Sequence, residues 1–179
     1  MATAIKTALE GVSFPQIRTV VLPLTATAVL RSCPNVTRIA LHHYGYGDPL
    51  RIIRDFCPRV EILQGLPFTA KVVKALLKAA PAVRELGFEI DHYNETHPDP
   101  QPEPDLSLLP ELKNLSVVRI DNFDIKDPRK KKFLFDGLRN ALSKIKTKED
   151  KRIVVSYSIP PHNSENTTER ERTEIIVIE

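Results

Sequence analysis

The sequence predicts an α/β fold: a short solenoid of strand–helix units, built as a right-handed horseshoe with a parallel sheet on its concave face. Three observations point there. A proline phrase occurs five times, as FPQIRTVVL around Pro15, CPNVTRIAL around Pro34, CPRVEILQG around Pro58, APAVRELGF around Pro81 and LPELKNLSV around Pro110. Two, five and seven positions after the proline, fourteen of fifteen residues are apolar, and the last two columns have the period-2 spacing of a strand. Between the phrases lie runs with helical periodicity, and proline, which cannot extend a helix, closes each of them.

The elements follow in order. MATAIKTALEG supplies a thin N-terminal cap before the first strand. LTATAVLRSC is a short helical run. In DPLRIIRDFC, Asp48 can cap, Pro49 suits the first helical position, and Leu50, Ile53 and Phe56 or Cys57 line one side. Gly65 is the one residue that breaks an apolar column, and Leu66 beside it can compensate through a bulge. FTAKVVKALLKAA places Val72, Val73, Leu76, Leu77 and Ala80 on one helical face.

The last third is less regular. The acidic, proline-rich stretch at 91–105 reads as an exposed loop that lengthens the fourth unit. KKKFLFDGLRNALSKIK reads as an amphipathic helix with Phe133, Leu134, Leu138, Leu142 and Ile145 in register, and Arg152 to Ile159 as a sixth strand. The expected organisation is a repeat domain over 1–160, a flexible loop over 161–173 and a C-terminal edge strand over 174–179, whose flanking glutamates limit unwanted pairing.

Composition excludes several classes. A chain of 179 residues with a net charge of +3 is only mildly basic, without the concentrated positive surface of a nucleic-acid binder. The start carries no signal-peptide run, and no stretch approaches the apolar length of a membrane span. A soluble, cytoplasmic or nuclear protein is expected, and the N-x-S/T triplets at Asn35, Asn94, Asn114 and Asn166 are read as chance.

The chemistry-bearing residues have plain readings. Cys33 and Cys57 sit at the same phase of two units, and no C-x-x-C accompanies them, so buried, reduced thiols are expected rather than a metal site or a disulfide. HHYGYGD at His42 to Asp48 could serve an enzyme or a ligand site, together with Asp91 or His92. The plainer reading is a strand exit with glycines for the turn. Lys126 to Lys132 could bind a polyanion weakly, but it lacks interleaved aromatics and is diluted by Asp124, Asp127 and Asp136. Phosphate loops, dinucleotide fingerprints and nucleophile elbows are not found, so neither an enzyme nor a cofactor is expected.

The phrase CPNVTRIAL and its partner CPRVEILQG resemble the cysteine-containing leucine-rich repeats of F-box-type proteins, such as those of fungi, in which a helix ends in C-P-x-[LV] and leads into L-x-L. The repeat separations of 19, 24, 23 and 29 residues lie in or beside the range of such repeats. The resemblance implies a substrate-recognition module of a ubiquitin ligase. No L-P-x-E-[LI] opening of an F-box precedes the repeats, so adaptor docking is expected only if an F-box lies outside this chain. Strand alternation assigns the protein-binding, concave face to Thr19, Val21, Arg38, His42, Ile62, Gln64, Glu85, Glu89, Asn114 and Ser116.

Overall fold

The computed structural model describes residues 2–42, 49–89, 106–121, 128–157 and 172–178. Within them the chain alternates strand and helix: α1 (Ala2–Ala8), β1 (Thr19–Pro23), a 3-10 helix (Leu24–Ser32), β2 (Arg38–His42), α2 (Pro49–Phe56), β3 (Ile62–Pro67), α3 (Ala70–Ala79) and β4 (Glu85–Glu89). A further 3-10 helix (Leu106–Glu111), β5 (Val117–Asp121), α4 (Pro128–Ser143), β6 (Lys151–Tyr157) and β7 (Arg172–Ile178) follow. The strands form one seven-stranded sheet in sequence order. All neighbours from β1 to β6 are parallel, and β7 closes the sheet antiparallel to β6. The α/β class expected from the sequence is therefore present.

The apolar columns build one continuous core. Ile39, Leu63, Leu86, Val118 and Ile153 lie on neighbouring strands in register, each fully buried, and pack with Leu30, Ile53, Val73, Leu76, Leu138 and Leu142 from the helices. Each helix touches the next along the chain, so the helices form a layer against one face of the sheet, and among the described residues no helix packs on the other. The shortest parallel crossover, between β1 and β2, contains a 3-10 helix, whose rise of about 2.0 Å per residue spans more length with fewer residues than an α-helix. Thr69 caps α3 by accepting a hydrogen bond from the Val72 amide at 3.3 Å.

The joint between helix and strand is the same in six places. The amide of Ile17, Val36, Val60, Val83, Leu115 or Ile145 donates to the carbonyl three residues earlier, on Phe14, Cys33, Cys57, Ala80, Leu112 or Leu142. Each turn then hands the chain to its neighbour: Thr37 and Arg38 both donate to Arg18 O, Glu61 and Ile62 to Thr37 O, Arg84 and Glu85 to Glu61 O, and Ser116 and Val117 to Arg84 O. These shared carbonyls lock the register of successive strands.

The joints correct the sequence alignment of the fifth unit. Pro110 lies inside the 3-10 helix, and Leu112 occupies the position that the residue before proline holds elsewhere. The strand is displaced accordingly, so that Glu85 pairs with Val117 and Leu86 with Val118. The bulge at Gly65 is present: register shifts between Leu63 and Leu66, and Leu66 fills the core opposite Phe88. Gly65 adopts φ +75°, and a Cβ there would collide with the Leu41 carbonyl oxygen.

Two further corrections concern the C-terminal part. Phe133 is 68% exposed, while Phe135 takes the core position beside Leu134 and Leu138. The edge strand begins at Arg172 rather than residue 174, and Glu174 lies within it, accepting a hydrogen bond from the Tyr157 hydroxyl at 2.8 Å. Most of the expected flexible loop, residues 161–171, and the loop at 91–105 lie outside the described residues.

Candidate functional site

The sheet face turned away from the helices is built from adjacent, hydrogen-bonded strands. Register places Thr19, Arg38, Ile62, Glu85, Val117 and Arg152 in one row across β1 to β6. Above it run Val21, Ala40 and Gln64 on β1 to β3, with Gly87, Arg119 and Val154 in line on β4 to β6. Pro23 and His42 are paired at the far ends of β1 and β2, as Pro67, Glu89 and Asp121 are on β3 to β5. The structure thus brings together Thr19, Arg38, His42, Gln64, Glu85 and Glu89, along with Val21 and Ile62.

Asn114 and Ser116 do not join them. Asn114 lies in the fifth joint, and Ser116 is buried, donating from Oγ to Glu149 Oε2 at 2.7 Å with Arg84 O 3.2 Å away. Their places on the face belong to Val117, Arg119 and Asp121. The physical reason is the shifted joint: the apolar pair Leu112 and Leu115 is reused one turn later than proline counting implies. Burial alternation in VVRID, with Val118 and Ile120 inside, was the signal that could have revealed it.

At the centre of the face lies a polar triad. Glu85 Oε1 accepts from Gln64 Nε2 at 2.8 Å and from Arg119 Nε at 2.7 Å, joining β3, β4 and β5. The Glu85 side chain is only 15% exposed and that of Arg119 33%, so the pair is partly desolvated and held in one geometry. Gly87 makes this possible. It stands between Gln64 and Arg119, and its missing side chain leaves the slot over which both lean toward Glu85; a Cβ there would lie 3.0 Å from Gln64 Cγ.

At the rim where the strands begin, Arg84 pairs with Glu61 at 3.2 Å and approaches Glu149 at 3.9 Å. Open depressions of about 370 and 410 Å³ flank this pair, lined by alternating charges including Lys148, Glu149, Asp150 and Arg152. Their polar, unenclosed walls contrast with the mostly apolar linings typical of small-molecule pockets. Among the described residues, no three His, Cys, Asp or Glu side chains converge as metal ligands, and no helix is long and apolar enough to cross a membrane.

The other sequence candidates separate. Of the His42 to Asp48 cluster only His42 lies within the described residues, exposed at the end of β2; Asp91 and His92 lie outside them. Lys126 and Asp127 also lie outside, and Lys131 turns from the basic run to place its Nζ 5.4 Å from the Tyr157 ring and 3.4 Å from its hydroxyl. Cys33 and Cys57 are fully buried in the core, and Cys57 Sγ lies 3.6 Å from Leu30 O. Burial, followed by the proximity of Cys33, pushes the Cys57 thiol up to about 12. Burial raises Cys33 as well.

Fold and surface together define an α/β protein with a mostly parallel seven-stranded sheet, covered by helices on one side and carrying a polar triad on the other. The chain matches no protein-family model, and no curated protein or solved structure is significantly similar to it.

Proposed function

We propose that this chain is a non-enzymatic protein-interaction module, a short leucine-rich-repeat-like solenoid that holds a protein partner on the open, concave face of its sheet. The Gln64–Glu85–Arg119 triad carries this reading, because a partly buried polar cluster on three adjacent rigid strands offers fixed donors and acceptors without an enclosed cavity. Around it, Val21 at 59% exposure and the exposed Arg38 and Arg152 supply the mixture of apolar and charged contacts found at protein interfaces. Specificity on such a surface comes from shape and charge register rather than from bond chemistry.

In this reading the repeats serve as a substrate-recognition region of an F-box-like ubiquitin-ligase component, and adaptor docking follows only if an F-box lies outside this chain. The resemblance of CPNVTRIAL and CPRVEILQG to cysteine-containing repeats supports it, as does the strict one-after-another strand order. Quantitative affinity capture from the protein's own cells tests both parts. The expected result is a set of client proteins lost when Arg38→Glu and Arg119→Glu are introduced, with ligase adaptors among the captured proteins only if an F-box accompanies this chain. Clients retained unchanged by both variants would show that the face is not the binding surface.

A further inference from the structure

We infer that the outer edge of β7, with the stripe of α4 beside it, is a self-association surface that pairs two copies of this chain about a two-fold axis near Ile176. This surface is separate from the open-face site proposed above. β7 is the last strand of the sheet and bonds to β6 through seven consecutive residue pairs without a bulge, so among the described residues its other side presents a straight row of backbone donors and acceptors. On the open face this strand carries Ile175 and Val177, 59% and 62% exposed, beside the buried Val154. Such a row is completed by another strand, and the side chains say which.

Antiparallel pairing of β7 with its own copy, centred on Ile176, sets Ile175 of each chain opposite Val177 of the other and buries all four. The helix layer agrees with the same centre. Lys131 of α4 reaches Tyr157, which donates to Glu174, while Arg139, Asn140 and Ser143 border a groove against Val177 and Ile178. The middle of β7 therefore lies level with Asp136 to Arg139 of α4. Lys132, Asp136, Arg139 and Ser143, spaced by four, three and four residues, form one exposed stripe on this side of the helix.

Asp136 and Arg139 pair at 3.8 Å within one α4, and a two-fold axis at this height turns the α4 stripes antiparallel, so that each member of this pair gains a second, oppositely charged neighbour in the other copy. Strands add at about 4.8 Å and helices pack at about 8–10 Å, so side chains of this length can meet across the axis. The charges are self-complementary in this orientation, and like charges oppose one another if the stripe slides by one turn. That complementarity favours a second copy over an unrelated peptide as the occupant.

Sedimentation velocity on the full chain over an about hundredfold concentration range tests the inference, with circular dichroism as the control for folding. The expected result is a monomer–dimer equilibrium that Ile175→Lys with Val177→Lys abolishes. Asp136→Arg weakens it by about tenfold or more through like-charge contact, and the swapped pair Asp136→Arg with Arg139→Asp restores it. A chain that stays monomeric at every concentration overturns the inference. So does a dimer that survives the two lysines, or a swap that fails to restore pairing.

Discussion

Arg119 on β5 donates from Nε to Glu85 on β4 at 2.7 Å, and the same carboxylate oxygen accepts from Gln64 on β3. One acceptor thus ties three parallel strands on the face away from the helices. A hydrogen bond to a charged, partly shielded group is worth more than a surface ion pair, and removing its donor leaves the carboxylate short of a partner. Arg119→Ala is expected to cost about 1–2 kcal/mol in urea unfolding, and Arg119→Lys, which lacks the planar fork, to recover only part of it.

Gly87 and Gly65 are predicted to resist substitution for different reasons. At Gly87 the backbone is ordinary, but an added Cβ would sit 3.0 Å from Gln64 Cγ and 3.1 Å from Gln64 Cα, and the latter cannot swing aside. Gly87→Val should therefore cost about 1–3 kcal/mol by overpacking and should disorder the triad. At Gly65 both the positive φ and the Leu41 carbonyl oppose any side chain. Gly65→Ala should cost more than about 2 kcal/mol, and thermal unfolding of the pair of variants would rank them.

The fifth joint can be checked by comparing two neighbouring truncations. Leu112 is buried and anchors the turn through its carbonyl, so Leu112→Ala should destabilise by about 2–5 kcal/mol. Pro110, half-buried within a 3-10 helix, should tolerate alanine at a cost of about 1 kcal/mol or less. Equal losses at the two positions would contradict the joint at Leu112.

The buried thiols give stability a defined alkaline dependence. In the unfolded chain a cysteine ionises near 9.0, whereas folding holds Cys57 protonated up to about 12. The folded state therefore binds the extra proton between those values. The contribution is complete below pH 9 and is lost as pH rises, at about 1.4 kcal/mol per pH unit within the window. Cys57→Ala should flatten that part of the stability profile. Thiol reagents should label neither Cys33 nor Cys57 in the native protein and both after denaturation, since each side chain is fully buried.

Much of this architecture is written locally. The apolar columns beginning Ile17, Val36, Val60 and Val83, the helix stops at proline and the bulge at Gly65 could all be read in advance, because each follows from periodicity or backbone sterics within a few residues. The face residues of the first four strands came with them, as strand alternation leaves no choice once the inner column is known. The phase of the fifth strand was another matter. Pro110 mimics the joint, and only packing against β4, where Arg84 O receives Ser116 and Val117, selects Leu112. That three-residue displacement exchanges Asn114 and Ser116 for Val117, Arg119 and Asp121, and so decides whether the triad exists. Long-range backbone pairing likewise set the antiparallel direction of β7, because strand propensity in IIVI carries no information about which neighbour it meets.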